Sequence, residues 1–351
     1  MAKYVHSRCI DAMDGALSNW SLSDKTCNEI NKYLLRDVEY AGVINFQKDR
    51  RGKMRDKNFT IIRGHADSVA TPEKEFINFH THPLAIYKSE GTQFGWPSSD
   101  DIREIIRYSL KGNIAHLVFT VEGTYVMQVN PGIVNVLKNI QHEYANQIRG
   151  IFCAIIEIYF KTTHVFRTFE ALEDYPVTPI DFMKYINNFR ISRILSKSKR
   201  KTAECGRLNC NGFPHWENGY EILNLEEVFE SFGNQVDFIA IDENGDDRGR
   251  FRPDITQIKR ALRFLRTEIE SQQASFPYRQ CMSEPCEQCH TEESTWPIQK
   301  IFNICLFYND SYVNSRNELR FGKSIRDSIR KIKVKNSVSL WHPPLIKNCK
   351  L

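Results

Sequence analysis

The sequence predicts a mixed α/β domain over residues 1–175, a linker or helix over 176–205 and a further domain of unknown fold over 206–351. Three observations carry that prediction. The first half runs helix, strands, helix, hairpin, helix, the order of a mixed sheet flanked by helices. The chain has 351 residues, room for two domains. Its 41% hydrophobic and 26% charged residues match a globular protein and exclude wholesale disorder, collagen and coiled-coil rod.

Residues 21–36 read as a helix, with Ser23 or Asp24 as cap and Ile30, Leu34 and Leu35 at helical spacing. Residues 39–47 read as a strand, and the charged stretch 47–58 as an exposed turn. Residues 59–63 and 75–81 read as strands. Residues 84–97 contain Gly91, Gly95 and Pro97 and read as a loop. A helix over 98–110 places Ile102, Ile105, Ile106 and Leu110 on one face. Residues 114–120 and 124–129 form a hairpin around Glu122 and Gly123. Pro131 opens a second amphipathic helix over 131–146.

Beyond residue 175 the pattern is thinner. Helices are expected over 182–195, 256–273 and 324–334, and residues 242–247 (Asp-Glu-Asn-Gly-Asp-Asp) read as a turn too short for a calcium loop. The longest apolar stretch, 151–160, holds Glu157 and falls well short of the roughly 20 residues a membrane span needs. No transmembrane helix is expected. The start of the chain lacks a signal-peptide pattern, which favours cytoplasm or nucleus. Net charge is 48 − 43 = +5, and the basic runs at 197–201 and 326–335 read as solvated faces, so a nucleic-acid partner is not expected.

The chemistry concentrates in two short stretches: Phe79-His80-Thr81-His82-Pro83 and Pro97-Ser98-Ser99-Asp100-Asp101. On a strand, residues i and i+2 share a face, so His80 and His82 can present two imidazoles to one ion. Ser98 can cap the next helix and place Asp101 in its first turn. Two histidines and one carboxylate leave a tetrahedral zinc one open position for water. A shifted register through Ser99 and Asp100 is also conceivable. Each part alone has an ordinary explanation, a chance His-x-His or a plain helix cap; together they ask for a metal.

The pair His80-Thr81-His82-Pro83 and Ser98-x-x-Asp101 resembles the signature of the JAMM/MPN-plus (JAB domain) zinc metallopeptidases, over about residues 20–165. Glu39-Tyr40-Ala41-Gly42-Val43-Ile44 is similar to the family's upstream glutamate context. The resemblance implies a JAMM/MPN-like (cytidine-deaminase-like) fold and an isopeptidase that cleaves the amide between a ubiquitin or ubiquitin-like C-terminus and lysine. It implies Zn²⁺ held by His80, His82 and Asp101, with Glu39 as general base and Ser98 as oxyanion donor. It also implies ubiquitin-like conjugates as substrate and admits an activating protein partner. Glu75 is a fallback for Glu39.

One departure stands out. Fourteen residues, 84–97, lie between Pro83 and Ser98, about twice the family's spacing. Phe94 and Trp96 in that insertion are candidates for reading substrate. Two other functions stay open: a metallopeptidase acting on a different peptide or precursor, and a catalytically silent scaffold. The complete set Glu39, His80, His82, Ser98 and Asp101 counts against the scaffold.

Ten cysteines in a chain without a secretory pattern read as thiols or metal ligands. Cys205 and Cys210, with Cys281, Cys286, Cys289 and His290, are candidates for a second, structural zinc. Adjacent Cys289 and His290 make a cramped pair, and ordinary reduced thiols are the competing reading.

Overall fold

A computed structural model describes residues 20–48, 50, 54–161, 163, 167, 179–187, 189–190, 194, 225–275 and 301–308. The chain enters through β1 (Trp20–Ser21) and α1 (Asp24–Leu34). Ser23 caps α1, its Oγ accepting from the Thr26 amide at 3.3 Å. Ile30 and Leu34 are buried, whereas Leu35 is the C-cap and is exposed. An antiparallel hairpin follows, β2 (Tyr40–Lys48) and β3 (Met54–Arg63). β3 starts earlier than the apolar pattern predicts. Arg55, Asp56 and Lys57 near its start are charged, and the backbone ladder to β2, not burial, holds the start of the strand.

β4 (Ile77–Thr81) is buried throughout and runs parallel to β5 (Ala115–Phe119). Two parallel strands need a crossover, and α2 (Leu84–Ser89) and α3 (Ser99–Leu110) lie in it. β6 (Gly123–Val129) returns antiparallel to β5. α4 (Pro131–Lys138) and α5 (Ala145–Lys161) follow. Of the expected helix over 131–146 only residues 131–138 form α4; residues 139–144 are not helical, and α5 begins at Ala145. The apolar run 151–160 lies within α5 and is buried on every side, so it lacks the one-sided period that marks a surface helix.

The described C-terminal elements are α6 (Pro179–Asn187), α7 (Leu225–Phe232), β7 (Ile239–Ile241), β8 (Asp247–Arg250), α8 (Ile255–Ser275) and β9 (Phe302–Tyr308). The turn expected at 242–247 joins β7 to β8. Asp242 Oδ1 accepts there from the Asn244 and Asp246 amides, each at 2.9 Å.

The main sheet has seven strands in the order β1-β3-β2-β4-β5-β6-β9. It is mixed: β1/β3 and β4/β5 are parallel, the other pairs antiparallel. Helices cover both faces. Ile77, Phe79, Leu117 and Phe119 pack with Ile30 and Leu34 of α1. On the other face Val118, Tyr125 and Met127 join Ile102, Ile106, Ile155 and Ile156 of α3 and α5.

The expected division near residues 175–206 does not divide the core. β9 is the seventh strand of the main sheet, paired with β6 over its whole length. Leu225, Phe238, Leu262 and Leu265 belong to the same hydrophobic cluster as α3 and α5. No helix among the described residues is long and apolar enough to cross a membrane.

Candidate metal centre

Period-two alternation along β4 sends Phe79 into the α1 side of the sheet and Asn78 and His80 toward α3. His82 follows just past the strand, its amide donating to the Phe119 carbonyl at 2.8 Å. α3 starts at the same end of the sheet. Ser98 and Asp101 form the expected capping box: Ser98 Oγ accepts from the Asp101 amide at 3.1 Å, and the Ser98 amide donates to Asp101 Oδ2 at 2.7 Å. The cap therefore fixes the Asp101 carboxylate as well as the helix start.

His80 Nε2 lies 2.9 Å from His82 Nε2 and 3.3 Å from Asp101 Oδ1. His82 Nε2 lies 3.5 Å from Asp101 Oδ2. Ligand atoms of the three residues all fall within 4.8 Å of one another, so the group can hold a metal ion. The donor set suits one. His82 Nδ1 donates to the Gly95 carbonyl at 2.6 Å, because a carbonyl only accepts. The neutral ring then carries a bare lone pair at Nε2, aimed at a second imidazole nitrogen and a carboxylate. A cation turns that crowding of electron pairs into coordination.

Glu39 enters from the start of β2. Its amide donates to the His65 carbonyl at 2.8 Å, and the Tyr40 amide donates to Thr81 Oγ1 at 3.0 Å. These bonds hold the start of β2 beside the end of β4. Glu39 is 6% exposed, and burial pushes its carboxyl up to about 7, with Asp101 and Asp67 adding to the rise.

These groups line one cavity of about 250 Å³. Glu39, His80, His82, Ser98 and Asp101 all face it, with Asp67, Glu90, Asp100 and Glu104 around them. Six carboxyl groups line it against one guanidinium, Arg167, so the field there favours a cation.

The insertion 84–97 is not a free loop. α2 occupies its first part, and Gln93 and Arg167 tie down the rest: the Gln93 amide donates to the Arg167 carbonyl at 2.7 Å, and Arg167 Nη1 donates to the Trp96 carbonyl at 3.0 Å. Phe94 and Trp96, expected to read substrate, are instead core residues. Both are 0% exposed, and Trp96 stacks on Phe182 at 4.9 Å. Large apolar rings in a segment anchored at both ends gain more from burial than from waiting in solvent.

Glu75 is exposed and stands outside the cavity. Ser99 is buried in the first turn of α3, and Asp100 pairs with Arg103 at 3.9 Å, so the shifted register does not form. Cys205, Cys210, Cys281, Cys286, Cys289 and His290 lie outside the described residues. Sequence reasoning missed Asn78 and His116, which stand behind His80. His116 carries one local sign, as the polar residue of the otherwise apolar β5, whereas Asn78 sits in a strand that alternates polar and apolar residues and carries none.

No family model matches the chain, and no solved structure matches it. The chain is similar to Uncharacterized protein 3R of Frog virus 3 (isolate Goorha), at 30% identity over 108 residues. That match covers 27% of this chain and 24% of the relative, so the chain spans about a quarter of the relative's length.

Proposed function

We propose that this chain is a zinc-dependent isopeptidase of the JAMM/MPN-plus type, cleaving the amide between a ubiquitin or ubiquitin-like C-terminus and lysine. One observation carries the reading: His80, His82 and Asp101 converge within 4.8 Å, with buried Glu39 and helix-capping Ser98 on the same cavity. The choice of zinc follows the donor set, two imidazoles and one carboxylate. The choice of substrate follows the resemblance of the motifs.

His80, His82 and Asp101 would hold the zinc, which would supply Lewis acidity to a scissile carbonyl and lower the pKa of a water. Glu39 then takes the proton of the attacking water and delivers it to the departing amine. Glu39 is buried on the same cavity as the histidines, where a carboxylate can make both transfers. Ser98 Oγ, which accepts from the Asp101 amide, keeps its own proton to donate to the oxyanion. No covalent enzyme intermediate is required, so no nucleophilic cysteine or serine takes part.

The test is zinc content per full-length chain, wild type beside His80→Ala/His82→Ala, followed by cleavage of di-ubiquitin. The proposal expects one equivalent to disappear in the double variant and hydrolysis to disappear with it. Zinc without cleavage of any ubiquitin-like conjugate would move the substrate to another peptide. A wild type that takes up no zinc would leave the scaffold reading.

A further inference from the structure

We infer that His116, backed by Asn78, is a positioning residue that fixes the tautomer of His80 and keeps its Nε2 bare for the metal. The inference rests on the metal-centre reading above and goes beyond its three ligands.

The sheet register makes the arrangement. Asn78 and His116 are direct partners on parallel β4 and β5, and His80 follows Asn78 on the same face. The three side chains therefore form a row beneath the cavity. His116 meets His80 edge to edge, with ring centroids 4.9 Å apart and planes 26° apart, and it is 1% exposed.

The proton positions follow from the far end of the row. The Pro72 carbonyl can only accept, and Asn78 Nδ2 lies 2.7 Å from it. That fixes the Asn78 amide and turns Oδ1 toward His116. A second carbonyl agrees: Asn113 Nδ2 donates to the Glu75 carbonyl at 3.0 Å and to Asn78 Oδ1 at 2.9 Å. Asn78 Oδ1 is thus an acceptor, and His116 Nδ1, 2.8 Å away, must carry a proton. Full burial requires His116 to be neutral, so its Nε2 has only a lone pair. His80 Nδ1 lies 2.8 Å from that Nε2 and must donate to it. The proton of His80 is then on Nδ1, and its Nε2 faces His82 and Asp101 bare.

Two independent routes deliver the same result. The Gly95 carbonyl sets His82, and the Asn78–His116 row sets His80. Outer partners of this kind commonly change metal affinity by about 10–100-fold.

The experiment reads tautomers directly, by long-range ¹H–¹⁵N correlation spectra of the histidines in the full-length, metal-free chain. The expected result is an Nδ1 proton on both His80 and His116. An Nε2 proton on His80 would overturn the inference. Zinc affinity by chelator competition is the second measurement. His116→Leu keeps the volume but offers no acceptor; it should move the His80 proton to Nε2 and weaken zinc about 10–100-fold. His116→Gln, whose Oε1 can accept from His80, should recover most of that loss. If His116 only fills space, Leu will match wild type in affinity and in spectrum, and the inference fails. If wild type binds no zinc, the metal reading fails, while the metal-free spectra still decide the tautomer.

Discussion

His82 Nδ1 and the Gly95 carbonyl oxygen are 2.6 Å apart, so the long insertion between the histidine pair and Ser98 orients one of those histidines. The insertion is itself held from behind. The Gly95 amide donates to Glu122 Oε1 at 2.8 Å, and the same carboxylate accepts from Tyr125 Oη at 2.9 Å and from Tyr87 Oη. Glu122 is 1% exposed, and burial raises its pKa against the pull of those donors. A segment that could have disrupted a metal site is instead stitched into its support.

Glu122→Ala should therefore damage stability and metal binding together. It removes one buried acceptor shared by three donors, which should cost roughly 3–5 kcal/mol. Loosening Gly95 should also weaken zinc about tenfold through His82. Urea unfolding and chelator competition measure the two effects. Unchanged zinc affinity in a folded variant would show that His82 does not depend on this support.

Ser98 caps α3, and the proposed function gives it a second role that substitutions can separate. Ser98→Ala should lose about 1 kcal/mol as a helix cap and about 10²–10³ in kcat as an oxyanion donor. Ser98→Asp keeps a capping oxygen for the Asp101 amide but has no proton to donate. It should retain thermal stability and still lose turnover. An Asp variant with full kcat would remove Ser98 from the chemistry.

Glu39 predicts a pH dependence of stability in the metal-free chain. Its folded pKa is raised, by burial first, to about 7. A raised carboxyl binds its proton more tightly in the folded state. Its contribution is present below the unfolded value and is lost as pH rises through about 7. Glu39→Gln should leave stability nearly unchanged at low pH and raise it by roughly 2–3 kcal/mol in mildly alkaline buffer. Denaturant midpoints in the presence of a chelator measure this. Equal effects at both pH values would mean that Glu39 ionises freely. With zinc restored, the same variant should keep the metal and lose about 10²–10⁴ in rate.

Much of the site was legible because each part obeys a local rule. His80 and His82 follow strand alternation, and Ser98 with Asp101 follows helix capping, so spacing made each pair legible, while the resemblance joined the two pairs. Glu39 came from the family resemblance rather than from a local rule, since it reaches the histidines across the β2–β4 strand pair. His116 and Asn78 were not legible, because their meaning depends on the register between two strands distant in sequence. Phe94 and Trp96 were misread because glycines and a proline mark irregular backbone, and irregular backbone can still bury its rings. The place of β9 and β7 on the shared core was hidden for a different reason. Apolar pattern reports that a strand is buried, not which sheet or helix buries it.

Gly150 offers a test of that shared core in which the sign of the effect decides. It lies in α5, where β7 packs so closely that an added Cβ would stand 2.1 Å from the Ile239 carbonyl oxygen and 3.1 Å from the Phe251 ring. In a helix free of that contact, Gly→Ala stabilises by about 1 kcal/mol, through lower backbone entropy in the unfolded chain. Against β7 the methyl group must push backbone aside, and overpacking of that kind costs roughly 1–3 kcal/mol. The clash is with a carbonyl rather than a flexible side-chain tip, so the cost should win. Gly150→Ala should lower the unfolding midpoint, and a larger Gly150→Val should lower it further. A rise in stability for Gly150→Ala would mean that residues 239–251 do not rest on α5 and that the chain divides where its sequence suggested.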